Sequence, residues 1–322
     1  MAERSFAELL DELIDGLLGQ PSGEPLAGQD DLASMARIAA DLRDLPNPDF
    51  KARLKANLQR RITMPATALS YVREGFHCVT PYVVSGQGAE MIDFVKQAFG
   101  AEEMFRGIGS GGGIHCELRI GDSMLMMGGG GAITGPRNPA ALHVYVENPD
   151  EVYQRALQAG ATSLVEPMEE RGERFAYIQD AFGNDWYIAR RLGARYMPEG
   201  MHNVNVYFHP VGAIRFIEFL EHAFSGSRLE LHQGSDGVVQ HAKVRIGDSV
   251  VEVGEPHGEW QPQSLPTMIY LYVPNVDEAY RRALAAGASS VSEPADQPYG
   301  DRNAGVKDAF GHTWYMSSPI RK

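Results

Sequence analysis

Asp180-Ala181-Phe182-Gly183-Asn184-Asp185-Trp186-Tyr187 returns near the end of the chain as Asp308-Ala309-Phe310-Gly311-His312-Thr313-Trp314-Tyr315. In both places a glycine-containing turn leads into an aromatic strand. Working upstream, Tyr153 to Ala161 matches Tyr280 to Ala288, with the sequences Tyr-Gln-Arg-Ala-Leu-Gln-Ala-Gly-Ala and Tyr-Arg-Arg-Ala-Leu-Ala-Ala-Gly-Ala. His115-Cys116-Glu117-Leu118-Arg119-Ile120-Gly121-Asp122-Ser123 matches His241-Ala242-Lys243-Val244-Arg245-Ile246-Gly247-Asp248-Ser249, and Ile92 to Phe99 matches Ile217 to Phe224. The four pairs keep their order at a nearly constant offset. The chain therefore carries two tandem copies of one α/β unit of about 120 residues.

Each copy contains a weaker internal duplication. A short strand such as Val79 to Val84 precedes an amphipathic helix ending at Phe99-Gly100, and three strand-like runs separated by glycine turns follow. The cycle restarts with a strand from Ala141 to Val146 and a helix from Pro149 to Gln158. Gly160 and Gly287 suit the left-handed position after a helix end. The pattern predicts an α+β fold of four β-α-β-β-β modules in two domains, 71–192 and 197–318, after a helical segment over 1–65. In that segment Ser5-Phe6-Ala7-Glu8 has capping-box form and Leu9 to Leu18 recur at helical spacing. Asp30 to Arg43 and Asn47-Pro48 to Arg61 complete three short helices, which need a partner surface and suggest docking or homo-oligomer contact.

Of 322 residues, 29 are Lys or Arg and 42 are Asp or Glu, a formal charge of -13. Such a balance argues against nucleic acid or an anionic membrane as partner, and its long-range field favours a cationic ligand. No apolar run is long enough to span a bilayer. The N-terminus does not read as a secretory signal, and the two cysteines offer no disulfide framework, so a cytoplasmic location is expected.

The Asp-x-Phe-Gly-Asn/His-x-Trp stretches resemble the turn before the last strand in the vicinal oxygen chelate superfamily, which includes glyoxalase I, bleomycin-resistance proteins, fosfomycin-resistance enzymes and extradiol dioxygenases. Pro81-Tyr82-Val83-Val84, Ala98-Phe99-Gly100 and the Arg-Ile-Gly-Asp-Ser turns resemble its PhnB-like branch. The resemblance covers residues 71 to 318. It implies half-barrel domains whose concave sides hold a small ligand, in many members beside a divalent metal, and a pseudo-dimer formed within one chain. It does not choose between lyases, isomerases, dioxygenases and binding proteins, because the fold hosts all of them.

The resemblance also implies metal ligands on the first and last strands of each module. Those positions fall at Thr80, Met126, Ala141 and Tyr187 in the first copy, and at Asn205, Glu252, Met268 and Tyr315 in the second. Glu252 alone is a good ligand, so no metal cofactor is expected. The alternative is one Zn, Ni, Mn or Fe ion at a shifted site using His77, His143 and Glu117. Tyr82, His143, Tyr145 and Tyr187 share the parity of the ligand positions in the first copy, as Tyr207, Tyr270, Tyr272 and Tyr315 do in the second. These rings either line a cavity in each copy, with Thr80, Met126, Asn205 and Glu252, or fill a closed core. Trp186 and Trp314 have the opposite parity and belong under the helices. His115 and His241 read as structural, and Cys78 lacks the partners of an activated thiolate. Three readings follow: metal-free small-molecule binding, a metal-dependent lyase, isomerase or dioxygenase, and a scaffold acting through its N-terminal helices.

Overall fold

A computed structural model describes residues 69, 71–109, 112–130 and 138–320, and the helical segment expected over 1–65 lies outside them. The first copy runs β1 (Val79–Ser85), α1 (Gly88–Phe99), β2 (Glu102–Ile108), β3 (Ile114–Ile120), β4 (Ser123–Gly129), β5 (Ala141–Tyr145), α2 (Pro149–Gln158), β6 (Thr162–Glu170), β7 (Glu173–Gln179) and β8 (Asp185–Arg191). The second runs β9 (Val204–Phe208), α3 (Ala213–Phe224), β10 (Ser227–Gln233), β11 (Val239–Ile246), β12 (Ser249–Val253), β13 (Met268–Tyr272), α4 (Val276–Ala285), β14 (Ser289–Asp296), β15 (Asp301–Lys307) and β16 (Thr313–Pro319). These are the four expected β-α-β-β-β modules.

Local chemistry fixes the helix ends. Asn148 and Asn275 cap α2 and α4 by accepting the backbone N–H of Glu151 and Glu278 at 3.3 and 3.0 Å. Gly100 closes α1 at φ 66°, and Ser225 takes the same left-handed conformation at φ 57° after α3. The repeated Asp-x-Phe-Gly turn is a side-chain clasp. One oxygen of Asp180 accepts the N–H groups of Phe182 and Asn184, both at 2.9 Å, and the other accepts Trp186 Nε1 at 2.9 Å. Asp308 does the same for Phe310, His312 and Trp314. Each turn thereby drops a tryptophan beneath the helices, where Trp186 meets Phe99 at 4.5 Å and Trp314 meets Phe224 at 4.7 Å between ring centroids.

The strands form two eight-stranded half-barrel sheets, ordered β14-β15-β16-β13-β1-β4-β3-β2 and β10-β11-β12-β9-β5-β8-β7-β6. Each sheet draws four strands from each copy. The junctions are antiparallel, Thr80 opposite Tyr270 in the first sheet and His143 opposite Asn205 in the second. Within each copy the two helices pack together, and one continuous apolar core reaches both sheets. The Gly-Asp-Ser turns fasten the copies. Asp122 accepts the Asn203 N–H at 2.8 Å, and Asp248 accepts the Cys78 N–H at 2.7 Å. Among the described residues no helix is long and apolar enough to cross a membrane.

Candidate functional site

Strand order regroups the expected wall residues. Tyr82, Met126, Tyr270, Tyr272 and Tyr315 belong to the first sheet; His143, Tyr145, Tyr187, Tyr207 and Glu252 belong to the second. The expectation of one cavity wall per copy is thus corrected: the shared parity holds, but each concave face takes residues from both copies. Strand alternation fixes which face a side chain meets, not which strand lies beside it.

The first face is filled by its own chain. Phe76, Met124, Met126 and Tyr272 form a buried cluster against Tyr71, Val72, Tyr82 and Tyr270. Arg73 reaches in over the Phe76 ring, 4.4 Å from its centroid, and holds the buried Glu117 in a two-pronged pair at 2.7 and 2.5 Å. Glu117 also approaches His115 Nε2 at 3.4 Å, while His115 Nδ1 lies 3.0 Å from the Tyr82 hydroxyl. Tyr270 donates to Ser317 at 2.8 Å, and Ser317 donates in turn to Asp301 at 2.8 Å.

The second face encloses a cavity of about 580 Å³. Its floor is polar. His143 Nδ1 lies 2.6 Å from one Glu252 oxygen, and His241 Nε2 lies 3.2 Å from the other. Both imidazoles lower the Glu252 pKa despite its burial, and the Glu252 carboxylate raises that of His143 against the desolvation of a buried ring. The walls are aromatic: the Tyr145 ring lies 4.4 Å from His143, Tyr177 stacks on Tyr187 at 4.4 Å, and Trp260 lies 6.0 Å from Tyr207. Tyr187 donates to His209 Nε2 at 3.1 Å, and His209 Nδ1 donates to the Gly254 carbonyl at 3.0 Å. That pairing fixes a neutral imidazole, which burial holds down to about 4. Tyr145 donates to Glu173 at 3.0 Å. Glu230, His232, Lys243 and Arg171 stand toward the mouth.

Five of the twelve expected site residues line this cavity: His143, Tyr145, Tyr187, Tyr207 and Glu252. Thr80 and Asn205 do not line this cavity. Each turns its side chain back to a backbone carbonyl, Thr80 to His77 at 3.0 Å and Asn205 to His202 at 2.7 Å. His241, Lys243, Glu230 and Trp260 escaped the sequence reading as site residues. The alternation that selected Glu252 on β12 also places His241 and Lys243 on one face of β11, so these two were within reach of it; Trp260, on a loop, has no such signal.

Of the family's first-strand and last-strand positions, Thr80, Asn205, Tyr187 and Tyr315 carry neither imidazole nor carboxylate, whereas Glu252 carries a carboxylate that His143 and His241 engage. The shifted site of His77, His143 and Glu117 is not assembled: Glu117 is on the first sheet, His143 on the second, and His77 at the junction of the copies. Among the described residues, the trio of His, Cys, Asp or Glu ligand atoms lying within 4.8 Å of one another is His77, His202 and Asp248, which belongs to that junction and to neither cavity. Cys78 is buried there beside Tyr71, and burial pushes its thiol up to about 12, which disfavours the thiolate.

Residues 214–316 match the model of the Glyoxalase/Bleomycin resistance protein/Dioxygenase superfamily. An uncharacterized protein of Mycobacterium bovis is 36% identical over 115 residues, 33% of this chain and 76% of that protein. One from Mycobacterium tuberculosis is equally similar, with 68% of its length covered. Among solved structures, glyoxalase I from Zea mays superposes with a TM-score of 0.56 at 14% identity, covering 74% of this chain and 92% of that one. A mutant of the same enzyme gives 0.59 over the same shares.

Proposed function

Since the chain belongs to the glyoxalase/bleomycin resistance protein/dioxygenase superfamily, we propose that its second concave face binds a small planar molecule directly through side chains, without a divalent ion. One observation carries this reading: a cavity of about 580 Å³ has aromatic walls, and the carboxylate at its floor is engaged on both oxygens by imidazoles. Aromatic walls with a few fixed polar groups suit a flat, partly apolar ligand. On the first face, by contrast, Phe76 packs against Met126 and Tyr272 and Arg73 pairs with Glu117.

Hydrogen-bond capacity narrows the ligand. Glu252 and Glu230 are paired with imidazoles and Lys243, and Glu173 accepts from Tyr145. His143 lines the cavity together with Tyr207 and Trp260, and with Nδ1 engaged by Glu252 its Nε2 is left for a ligand. With its carboxylates already engaged, the floor favours a ligand hydroxyl or oxyanion over the cation suggested by net charge alone.

Two measurements test the proposal on the full chain. Metal analysis after dialysis is expected to find no stoichiometric ion; Zn, Ni, Mn or Fe retained by the wild type and lost in His143→Ala overturns the metal-free reading. A fluorescence screen of planar aromatic compounds is expected to yield ligands that quench Trp260, because Trp186 and Trp314 are fully buried. Absence of quenching across the screen, or quenching that survives Trp260→Phe, overturns the site.

A further inference from the structure

A line of alternating acid and base groups leads out of the second cavity. His143 Nδ1 is 2.6 Å from Glu252, whose other oxygen is 3.2 Å from His241 Nε2. His241 Nδ1 is 3.6 Å from Glu230, and Glu230 is 2.7 Å from His232 and 3.3 Å from Lys243. Exposure rises outward from the buried pair: the side chains are 10% exposed at His143 and 2% at Glu252, then 22% at His241, 35% at Glu230 and 64% at His232. A cavity-wall histidine needs no such train to hold its place; the contact with Glu252 alone would orient it.

We infer that the second cavity is an acid–base site, in which His143 Nε2 exchanges a proton with a phenolic or enolic hydroxyl of the ligand and Glu252, His241 and Glu230 connect that proton to solvent. The inference rests on the ligand-binding reading above. Glu252 holds the Nδ1 proton and so directs Nε2 to the cavity, which makes it a positioning residue. When the ligand O–H bond breaks, an N–H bond forms at Nε2 and the electron pair stays on the oxygen. The result is an imidazolium beside an oxyanion, and the proton count is unchanged. The groups facing His143 are Glu252 from β12, Glu173 from β7, Lys243 from β11, and Tyr145 and Tyr187 from β5 and β8. The two carboxylates favour the charged ring and the ammonium disfavours it, so the balance sustains the ion pair. The hydroxyls of Tyr145 and Tyr187 already donate to Glu173 and His209, which leaves proton transfer to the imidazole.

4-Nitrophenol serves as the probe, because it is planar and its absorbance reports its own ionisation. With the full chain, the expected result is saturable quenching of Trp260 together with a shift of the bound probe toward the phenolate by at least about one pH unit, a tenfold change in its ionisation constant. His143→Gln should abolish the shift while the probe still quenches. His241→Gln leaves the His143–Glu252 contact in place and should keep the equilibrium shift, but slow proton exchange at the site as read by line broadening of the bound probe. Quenching without an ionisation shift, or a shift retained in His143→Gln, overturns the acid–base inference and leaves binding intact. No quenching by 4-nitrophenol, where other planar compounds do quench, overturns the assignment of a phenolic ligand; no quenching by any of them removes the binding reading itself.

Discussion

His77 and His202 lie face to face where the two copies meet, their ring centroids 3.4 Å apart and their planes 18° from parallel. His77 Nδ1 is 3.0 Å from the Asp248 carboxylate and its Nε2 is 2.9 Å from the Asp122 carbonyl. His202 mirrors this, with Nδ1 3.1 Å from the Asp122 carboxylate and Nε2 3.0 Å from the Asp248 carbonyl. A carbonyl only accepts, and the histidines help to hold the Asp122 carboxyl down to about 2. Both His202 nitrogens are therefore placed to donate, which only the protonated ring can do in full.

The junction should accordingly loosen in base. Asp122, through its hydrogen bond and charge, raises the pKa of His202 above 6.5 against the opposing effect of burial. A raised histidine contributes stability that is complete below its unfolded value and fades as pH climbs through the folded one. Melting temperature should fall above pH 6.5, and His202→Gln should flatten that fall while lowering stability near pH 6 by about 1–2 kcal/mol. A wild-type profile indistinguishable from that of His202→Gln would contradict this.

Acid should act at a different place. Burial holds the neutral His209 ring down to about 4. A depressed histidine leaves stability intact above about 6.5 and removes it as pH falls toward the folded value, here by up to roughly 3 kcal/mol. His209→Gln should remove most of the acid-side slope between pH 6.5 and 4 in chemical denaturation. Tyr187→Phe, which deletes the donor to Nε2, should cost about 1 kcal/mol at neutral pH.

Arg73 is worth more than a surface charge, because its partner is buried: the Glu117 side chain is 4% exposed. Arg73→Ala strands that carboxylate, and about 2–4 kcal/mol of stability should go with it. Arg73→Ala with Glu117→Leu should recover much of the loss. A double variant no more stable than the single one would show that the guanidinium acts mainly through its contact with Phe76.

The glycines of the Gly-Asp-Ser turns are fixed by both backbone and space. Gly121 and Gly247 sit at φ +60° and +61°, and a Cβ would lie 2.0 Å from Asn203 Oδ1 and 2.2 Å from Cys78 Sγ, respectively. Gly121→Ala and Gly247→Ala should each cost more than the roughly 1 kcal/mol of left-handed strain, because the neighbour must also move. Thermal melts of the two variants should drop by several degrees, against little change for Gly172→Ala on an open turn beyond the strain alone.

Much of this molecule can be read from its residues. The Asp180 and Asp308 turns, the buried tryptophans and the helix caps are local, so short-range patterns expose them. The inward parity of Tyr145, Tyr187 and Tyr207 follows from strand alternation. The partner of each strand does not: β13 beside β1 and β9 beside β5 are long-range choices that leave no periodic trace. His241 reads as structural when judged beside Lys243, its neighbour in sequence, whereas its functional neighbour is Glu252 across the strand pair. Arg73 precedes the first strand and looks like loop charge until Glu117 is placed opposite it.

The interleaved strand order makes fusion a condition for asymmetry. A lone copy, shorn of its sibling, would present the open edges of β1 and β5 and could satisfy both only by pairing with another identical half, yielding two identical hollows. Joined in one polypeptide, the halves are free to diverge, so that an arginine and a phenylalanine enter one hollow while imidazoles, a carboxylate and aromatic rings line the other.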